Sequence, residues 1–301
     1  MNGPDTTTTE SAFVRYEEVR HRLPATTFPA RAQRITTLAD VADSFDAFIL
    51  DAFGVLNVGL TPIPGAVQRM ADLRAMGKRL IVLTNAASDP RSTAHAKYHR
   101  LGFDFTLNEV VSSRDVAVAR MLQLSPDARW GAIAANGDTF ADTSADIRRW
   151  TANDQPEVDA FVMFSSANLD AATQTALQAA LARMRRPLIV ANPDLVAPRE
   201  TGLTLEPGFF AHAIADTTGI EPFFFGKPYP DAYDDVLARL PGIARERIAM
   251  VGDTLHTDVL GGRAAGVKTV LLLDHGLFAG KDIDAYIARS GIVPDFICAT
   301  T

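Results

Sequence analysis

Apolar residues in this chain fall into short continuous runs separated by amphipathic stretches. Phe45 to Leu50, interrupted only by Asp46, is a run of the kind found in strands buried on both faces, and it stops at Asp51, shortly before Gly54 permits a turn. Pro64-Gly65 then opens a helix with Ala66, Val67, Met70 and Leu73 on one face and Gly77 at its end. Lys78 to Leu83 reads as the next strand and closes on Thr84-Asn85. Asp89-Pro90, eleven helix-compatible residues and Gly102 supply N-cap, first helical position and stop for a second helix. The order β-α-β-α predicts a parallel sheet. Upstream, residues 1 to about 10 are expected to be disordered and Ser11 to Leu23 helical.

A second alternating unit occupies residues 108–205, with strands near Trp130 to Ala134, Val158 to Phe164 and Pro187 to Ala191, and a helix from Asp170 to about Met184. The first pattern then resumes with a helix from Phe209 to Thr217 and a strand from Pro222 to Phe225. After these come a helix from Asp231 to Leu240, a strand from Ile248 to Val251, a helix stopped by Gly266 and a strand from Thr269 to Leu273. The fold class this predicts is α/β: a doubly wound, Rossmann-like parallel sheet built from residues 28–107 and 206–301. A smaller α/β domain, 108–205, is inserted between its halves, and roughly 100 residues is an ordinary domain size.

Composition narrows the function classes. Hydrophobic residues make up 47% of 301 and charged residues 22%, as expected of a chain with a well-filled core. A formal charge of −7 leaves no basic excess for nonspecific nucleic-acid binding. Cys298 is the sole cysteine, so neither an intramolecular disulfide nor a thiolate metal cluster can form, and a buried inert thiol is expected. Glu10, Glu17, Glu18 and Arg20 stand where an apolar signal core would lie, and no run reaches the length of a membrane span. A cytoplasmic protein without membrane partners is the expectation, with homo-oligomerisation left open.

The candidate chemistry sits at strand ends. Asp51, Thr84, Lys227 of Gly226-Lys227-Pro228, and Asp253 with Asp258 all follow apolar runs, and ligands of open α/β sheets bind beyond the carboxyl ends of the strands. Carboxylates converging in such a crevice repel one another unless a dication lies among them, and ligation by oxygen alone suits Mg²⁺. A lysine, a threonine hydroxyl and N–H groups at helix starts are what a phosphoryl group requires. Asp51 is then free to attack phosphorus and form an aspartyl-phosphate that water hydrolyses. Asn136-Gly137-Asp138 and Asn192-Pro193-Asp194 read first as turns and second as substrate contacts.

Together Asp51-Ala52-Phe53-Gly54-Val55, Leu83-Thr84-Asn85, Gly226-Lys227-Pro228 and Gly252-Asp253 with Asp258 resemble the four motifs of the haloacid dehalogenase superfamily, in their order. The spacing is similar to its class IIA phosphatases, whose α/β cap is inserted between the second and third motifs, and Ala191-Asn192-Pro193-Asp194 adds to the likeness. The resemblance implies that Asp51 is the nucleophile and a Mg²⁺ ligand, Asp253 a second ligand and Asp258 an outer carboxylate supporting the metal. Lys227 would pair with Asp51 and the phosphoryl oxygens. Thr84 and the Asn85 backbone would bind phosphate, and the backbone carbonyl of Phe53 would face the metal. Asn192 becomes a candidate contact for a substrate that is a small phosphate ester.

Phe53 departs from the pattern. The superfamily's phosphatases usually carry a second Asp there, which protonates the leaving oxygen and then activates water. A phenyl ring titrates nothing, so a replacement acid such as His256 or Asp89, a good leaving group, or slow hydrolysis is implied. An aromatic at this position also resembles the dehalogenases themselves. However, only 27 residues separate Leu56 from Thr84, too few for their cap, and Asp253 keeps the carboxylate of a metal site. The competing reading is a phosphate- and Mg²⁺-binding or regulatory protein with little turnover.

Overall fold

The computed structural model describes residues 7–199 and 202–301. Its central sheet has seven parallel strands in the order Val110–Ser112, Arg79–Thr84, Ala47–Leu50, Ile248–Gly252, Lys268–Leu272, Phe296–Cys298 and Gln33–Arg34. Every residue of Ala47–Leu50 is buried, as its unbroken apolar run requires of a strand covered on both faces. Successive side chains leave to opposite layers. Ala47 and Ile49 join Ile81, Leu83, Ile248 and Met250, while Phe48 and Leu50 join Leu80, Val82, Ala249 and Val251. Burying each of the larger side chains among them stabilises by about 1.5–3 kcal/mol. In register, Leu50 lies beside Val82 on one side and Val251 on the other, so Asp51, Thr84 and Asp253 emerge together at one edge.

A second sheet of five parallel strands runs Phe223–Phe224, Leu188–Val190, Ala160–Met163, Arg129–Ile133 and Asp146–Arg149. Its three expected strands are present with ends trimmed, and the expected helix is Ala171–Arg183, capped by Asp170. Sheet membership does not follow the expected limits of 108 and 205. Val110–Ser112 pairs in the central sheet, whereas helix Pro207–Thr218 packs on Ala171–Arg183 and Phe223–Phe224 extends the second sheet. The shift has a simple cause, because a short apolar run such as Val110-Val111 or Phe223-Phe224 carries no mark of which sheet it joins.

Smaller differences are equally local. Helix Thr9–Glu18 is capped by Thr8, so the last part of the stretch expected to be disordered is ordered, and a 3₁₀ turn at Arg20–Arg22 follows; residues 1–6 of that stretch lie outside the described residues. The helix docks because Ala12, Phe13 and Tyr16 pack into a cluster with Leu255, Val259 and Tyr286. Helix Arg91–Arg100 takes Pro90 as its N-cap, leaving Asp89 exposed outside it. Cys298 is buried, as expected, and burial pushes its thiol up. Among the described residues no helix is long and apolar enough to cross a membrane.

Arg114 ties the two sheets' loops together. Fully buried, it donates to both oxygens of Asp138 at 2.7 and 3.0 Å, to both of Asp142 at 2.7 and 2.8 Å, and to the Ala87 carbonyl at 3.2 Å. The Asn136-Gly137-Asp138 turn therefore serves this pairing. Arg114→Met leaves two carboxylates without their cation, and a loss of about 3–5 kcal/mol in unfolding free energy is expected. Urea denaturation reads it; an unchanged midpoint would show that the pairing does not hold the fold.

Candidate active site

Asp51 follows the last residue of the central strand, and its Oδ1 accepts from the Ala52 N–H at 2.7 Å. The same oxygen lies 2.5 Å from Lys227 Nζ, which also donates to Asp258 Oδ1 at 2.7 Å. The other oxygen of Asp258 accepts from the backbone N–H of Asp253 at 3.1 Å and of Thr254 at 3.0 Å. Asp258 is thereby fully engaged in holding Lys227 and the turn that presents Asp253. Asp253 accepts from the Leu277 N–H at 2.7 Å and the Thr254 hydroxyl at 2.9 Å. Carboxylate oxygens of Asp51, Asp253 and Asp258 lie within 4.8 Å of one another.

The local backbone makes this crowding feasible. After Gly252 the chain enters a π turn, Leu255–Val259, before helix Leu260–Ala264, and the wide turn carries Asp258 back beneath Asp253. A Cβ on Gly276 would come within 2.2 Å of Asp253, and one on Gly54, where φ is +73°, within 2.7 Å. Only glycine lets both loops close on that carboxylate.

Two buried carboxylates and a third, partly buried, with one lysine are electrostatically unbalanced. Burial, then Asp258 and Asp51, push Asp253 up to about 7. Burial raises Asp51 to about 6 against the pull of Lys227. Burial alone would lower Lys227, but Asp258 and Asp51 more than offset it and hold the ammonium charged. The remaining surplus of negative charge and the all-oxygen donor set fit a hard dication.

Other candidates hold different positions. Thr84 is buried at its strand end and lines the cleft; its hydroxyl accepts from the Ala86 N–H at 3.2 Å. Asn85 uses its side chain structurally: Oδ1 accepts from Lys227 N–H at 2.7 Å, and Nδ2 donates to the Lys227 carbonyl at 2.9 Å and Asp194 Oδ1 at 2.8 Å. It fixes the lysine loop. Asn192 lines the cleft, with Oδ1 accepting from Asp194 N–H at 3.0 Å and Nδ2 donating to Glu206 at 3.1 Å. His256 is fully buried, stacked on Tyr16 at 4.7 Å between ring centroids, with Nε2 2.5 Å from Glu17; it does not line the cleft.

Residues outside the motifs complete the walls. Tyr16 of the N-terminal helix lines the cleft and accepts from Leu195 N–H at 3.1 Å. The hairpin Val196–Arg199 with Gly202–Leu205 brings Arg199, and Glu206 follows it, its carboxyl raised by burial against the pull of Arg199. Tyr16 stood in a helix assigned no role. The hairpin lies in a stretch that reads as loop, so neither carried a sequence signal for the site.

Known proteins resemble this chain in sequence and fold. A family model described as haloacid dehalogenase-like hydrolase matches residues 48–147, and a second, HAD-hydrolase-like, matches 224–299. The D-glycerol 3-phosphate phosphatase of Mycobacterium tuberculosis is 32% identical over 241 residues, 78% of this chain; the chain spans 65% of that relative's length. A possible sugar phosphatase of Cytophaga hutchinsonii superposes with a TM-score of 0.78 at 28% identity, covering 89% of this chain and 98% of its own. The mycobacterial glycerol phosphate phosphatase in complex with magnesium superposes with a TM-score of 0.69 at 28% identity, covering 86% and 76%.

Proposed function

Since the chain belongs to the haloacid dehalogenase superfamily, in its class IIA, we propose that it is a Mg²⁺-dependent phosphatase hydrolysing a small phosphate monoester through an aspartyl-phosphate on Asp51. The convergence of Asp51, Asp253 and Asp258 on one point, with Lys227 bridging two of them, carries this reading. Asp51, Asp253 and the Phe53 carbonyl would hold Mg²⁺, which when bound supplies the positive charge that lets an anionic nucleophile approach an anionic phosphoryl group. Lys227 and Thr84 orient the phosphoryl oxygens. An Asp51 oxygen bonds to phosphorus as the ester P–O bond breaks, and the leaving oxygen takes a proton from water. A water molecule then attacks phosphorus, releasing inorganic phosphate and restoring the carboxylate. The hairpin over the cleft excludes bulk water during the attack.

Phosphate release from a panel of monoesters, with and without Mg²⁺, tests the proposal. Linear, Mg²⁺-dependent release over many equivalents is expected. Release that stalls at one equivalent would favour the low-turnover reading, for which the ring of Phe53 in the cleft is the specific observation.

Metal binding has a pH signature with a defined sign. In the folded chain Asp51 and Asp253 keep protons up to about 6 and about 7, above the ordinary carboxyl range, because of burial and mutual repulsion. The folded state therefore binds more protons than the unfolded one, and metal-free stability falls as pH rises through that window. Mg²⁺ must displace those protons, so its stabilisation grows with pH. Melting curves should show a larger Mg²⁺-induced rise in Tm near pH 8 than near pH 5; equal rises would remove these residues as ligands.

A further inference from the structure

The ring standing in place of the second acid gathers charge around it. Lys97 Nζ lies 5.4 Å from the centroid of the Phe53 ring, and the Arg199 guanidinium carbon 5.2 Å. Neither cation belongs to the four motifs: Lys97 comes from helix Arg91–Arg100 and Arg199 from the hairpin strand that lines the cleft. They feel each other, since burial first and Arg199 second pull the Lys97 ammonium below the ordinary lysine range.

Of the carboxylates nearby, Glu206 and Asp51 are committed, and exposed Asp89 acts on Lys97 only through space. Glu206 accepts from Arg199 at 3.1 Å, but also from Thr204 at 2.9 Å and Asn192 at 3.1 Å. Asp51 is held by Lys227. The Lys97 ammonium makes no ion pair or hydrogen bond among the described residues. Two cations over one apolar ring, of which only Arg199 has a paired carboxylate, leave positive charge at the cleft wall beside the nucleophile.

In-line attack by Asp51 places the departing ester oxygen on the far side of phosphorus, where the superfamily's second acid, here Phe53, meets the leaving group. Resting on the phosphatase reading, we propose that Lys97 and Arg199 form a second anion-binding subsite. The preferred monoester then carries a carboxylate on its leaving portion.

The matched pair 3-phosphoglycerate and glycerol 3-phosphate, which differ as carboxylate against hydroxymethyl, tests this directly. The ratio of their kcat/KM values should favour 3-phosphoglycerate. Lys97→Met and Arg199→Gln should each lower that ratio by roughly tenfold or more, the usual scale for a lost charge-assisted contact. Lys78→Met removes the same charge at the opposite end of the strand leading to Thr84 and should leave the ratio unchanged. Partial loss of folding cancels in the ratio. A ratio near one that neither substitution moves overturns the subsite. Turnover of neither ester counts against the phosphatase reading, and calorimetric binding of the two esters with Mg²⁺ then decides. Tighter binding of 3-phosphoglycerate that is lost in both variants supports the subsite, and equal affinities overturn it.

Discussion

Asp51→Asn is expected to cut phosphate release by on the order of 10⁴-fold or more, the scale on which loss of a nucleophile acts. Asparagine matches aspartate in shape, so the strand end and its Ala52 contact are kept, while the amide offers phosphorus no anionic oxygen. Lys227 retains Asp258 as its partner at 2.7 Å and has no reason to move. Stability is expected to hold or rise, because burial and Asp258 make the Asp51 charge costly in the metal-free fold despite Lys227. A phosphate assay beside a melting curve separates chemistry from unfolding. A well-folded variant within tenfold of the parent would remove Asp51 from the nucleophile's role.

Phe53→Asp should raise turnover, and the surroundings limit by how much. General acid–base assistance is worth about 10²–10⁴ in rate. An aspartate here would sit beside Lys97 and Arg199, which favour its ionised form, so it would serve better as base toward water than as acid toward the leaving oxygen. A gain of about 10²-fold, the lower end of that range, is expected. Combining it with Lys97→Met should raise the new carboxyl's pKa and increase turnover of a neutral-leaving-group ester further. Steady-state rates for the parent, the single and the double variant check this. No gain in either variant would mean that proton transfer does not limit the rate.

Four strands of the central sheet were legible because buried parallel strands write themselves as apolar runs, as in Ala47 to Leu50 before Asp51 and Ile248 to Val251 before Gly252-Asp253; the short strands Gln33–Arg34, Val110–Ser112 and Phe296–Cys298 carry too few residues to show one. Strand Asp146–Arg149 was not, since an edge position alternates exposure and needs no apolar run. The convergence of Asp51, Asp253 and Asp258 could be anticipated from strand order, but not the fact that both oxygens of Asp258 are occupied. That depends on a π turn with no composition signature. Asn85 was expected at the phosphate through its backbone; its side chain instead braces the lysine loop, a contact spanning 142 positions in sequence. Tyr16, Lys97 and Arg199 reach the cleft or its border only through tertiary packing.

Strand order also bears on how the chain matures during synthesis. Ala47–Leu50 cannot acquire its neighbour Ile248–Gly252 until some 200 further residues have left the ribosome, whereas the five strands between Arg129 and Phe224 need only one another. Early contacts are therefore local to the insert, and the pairing of Ala47–Leu50 with Ile248–Gly252 closes late. Until that closure a nascent chain carries Asp51 without Asp253 or Asp258, so it cannot assemble the ion-binding pocket prematurely.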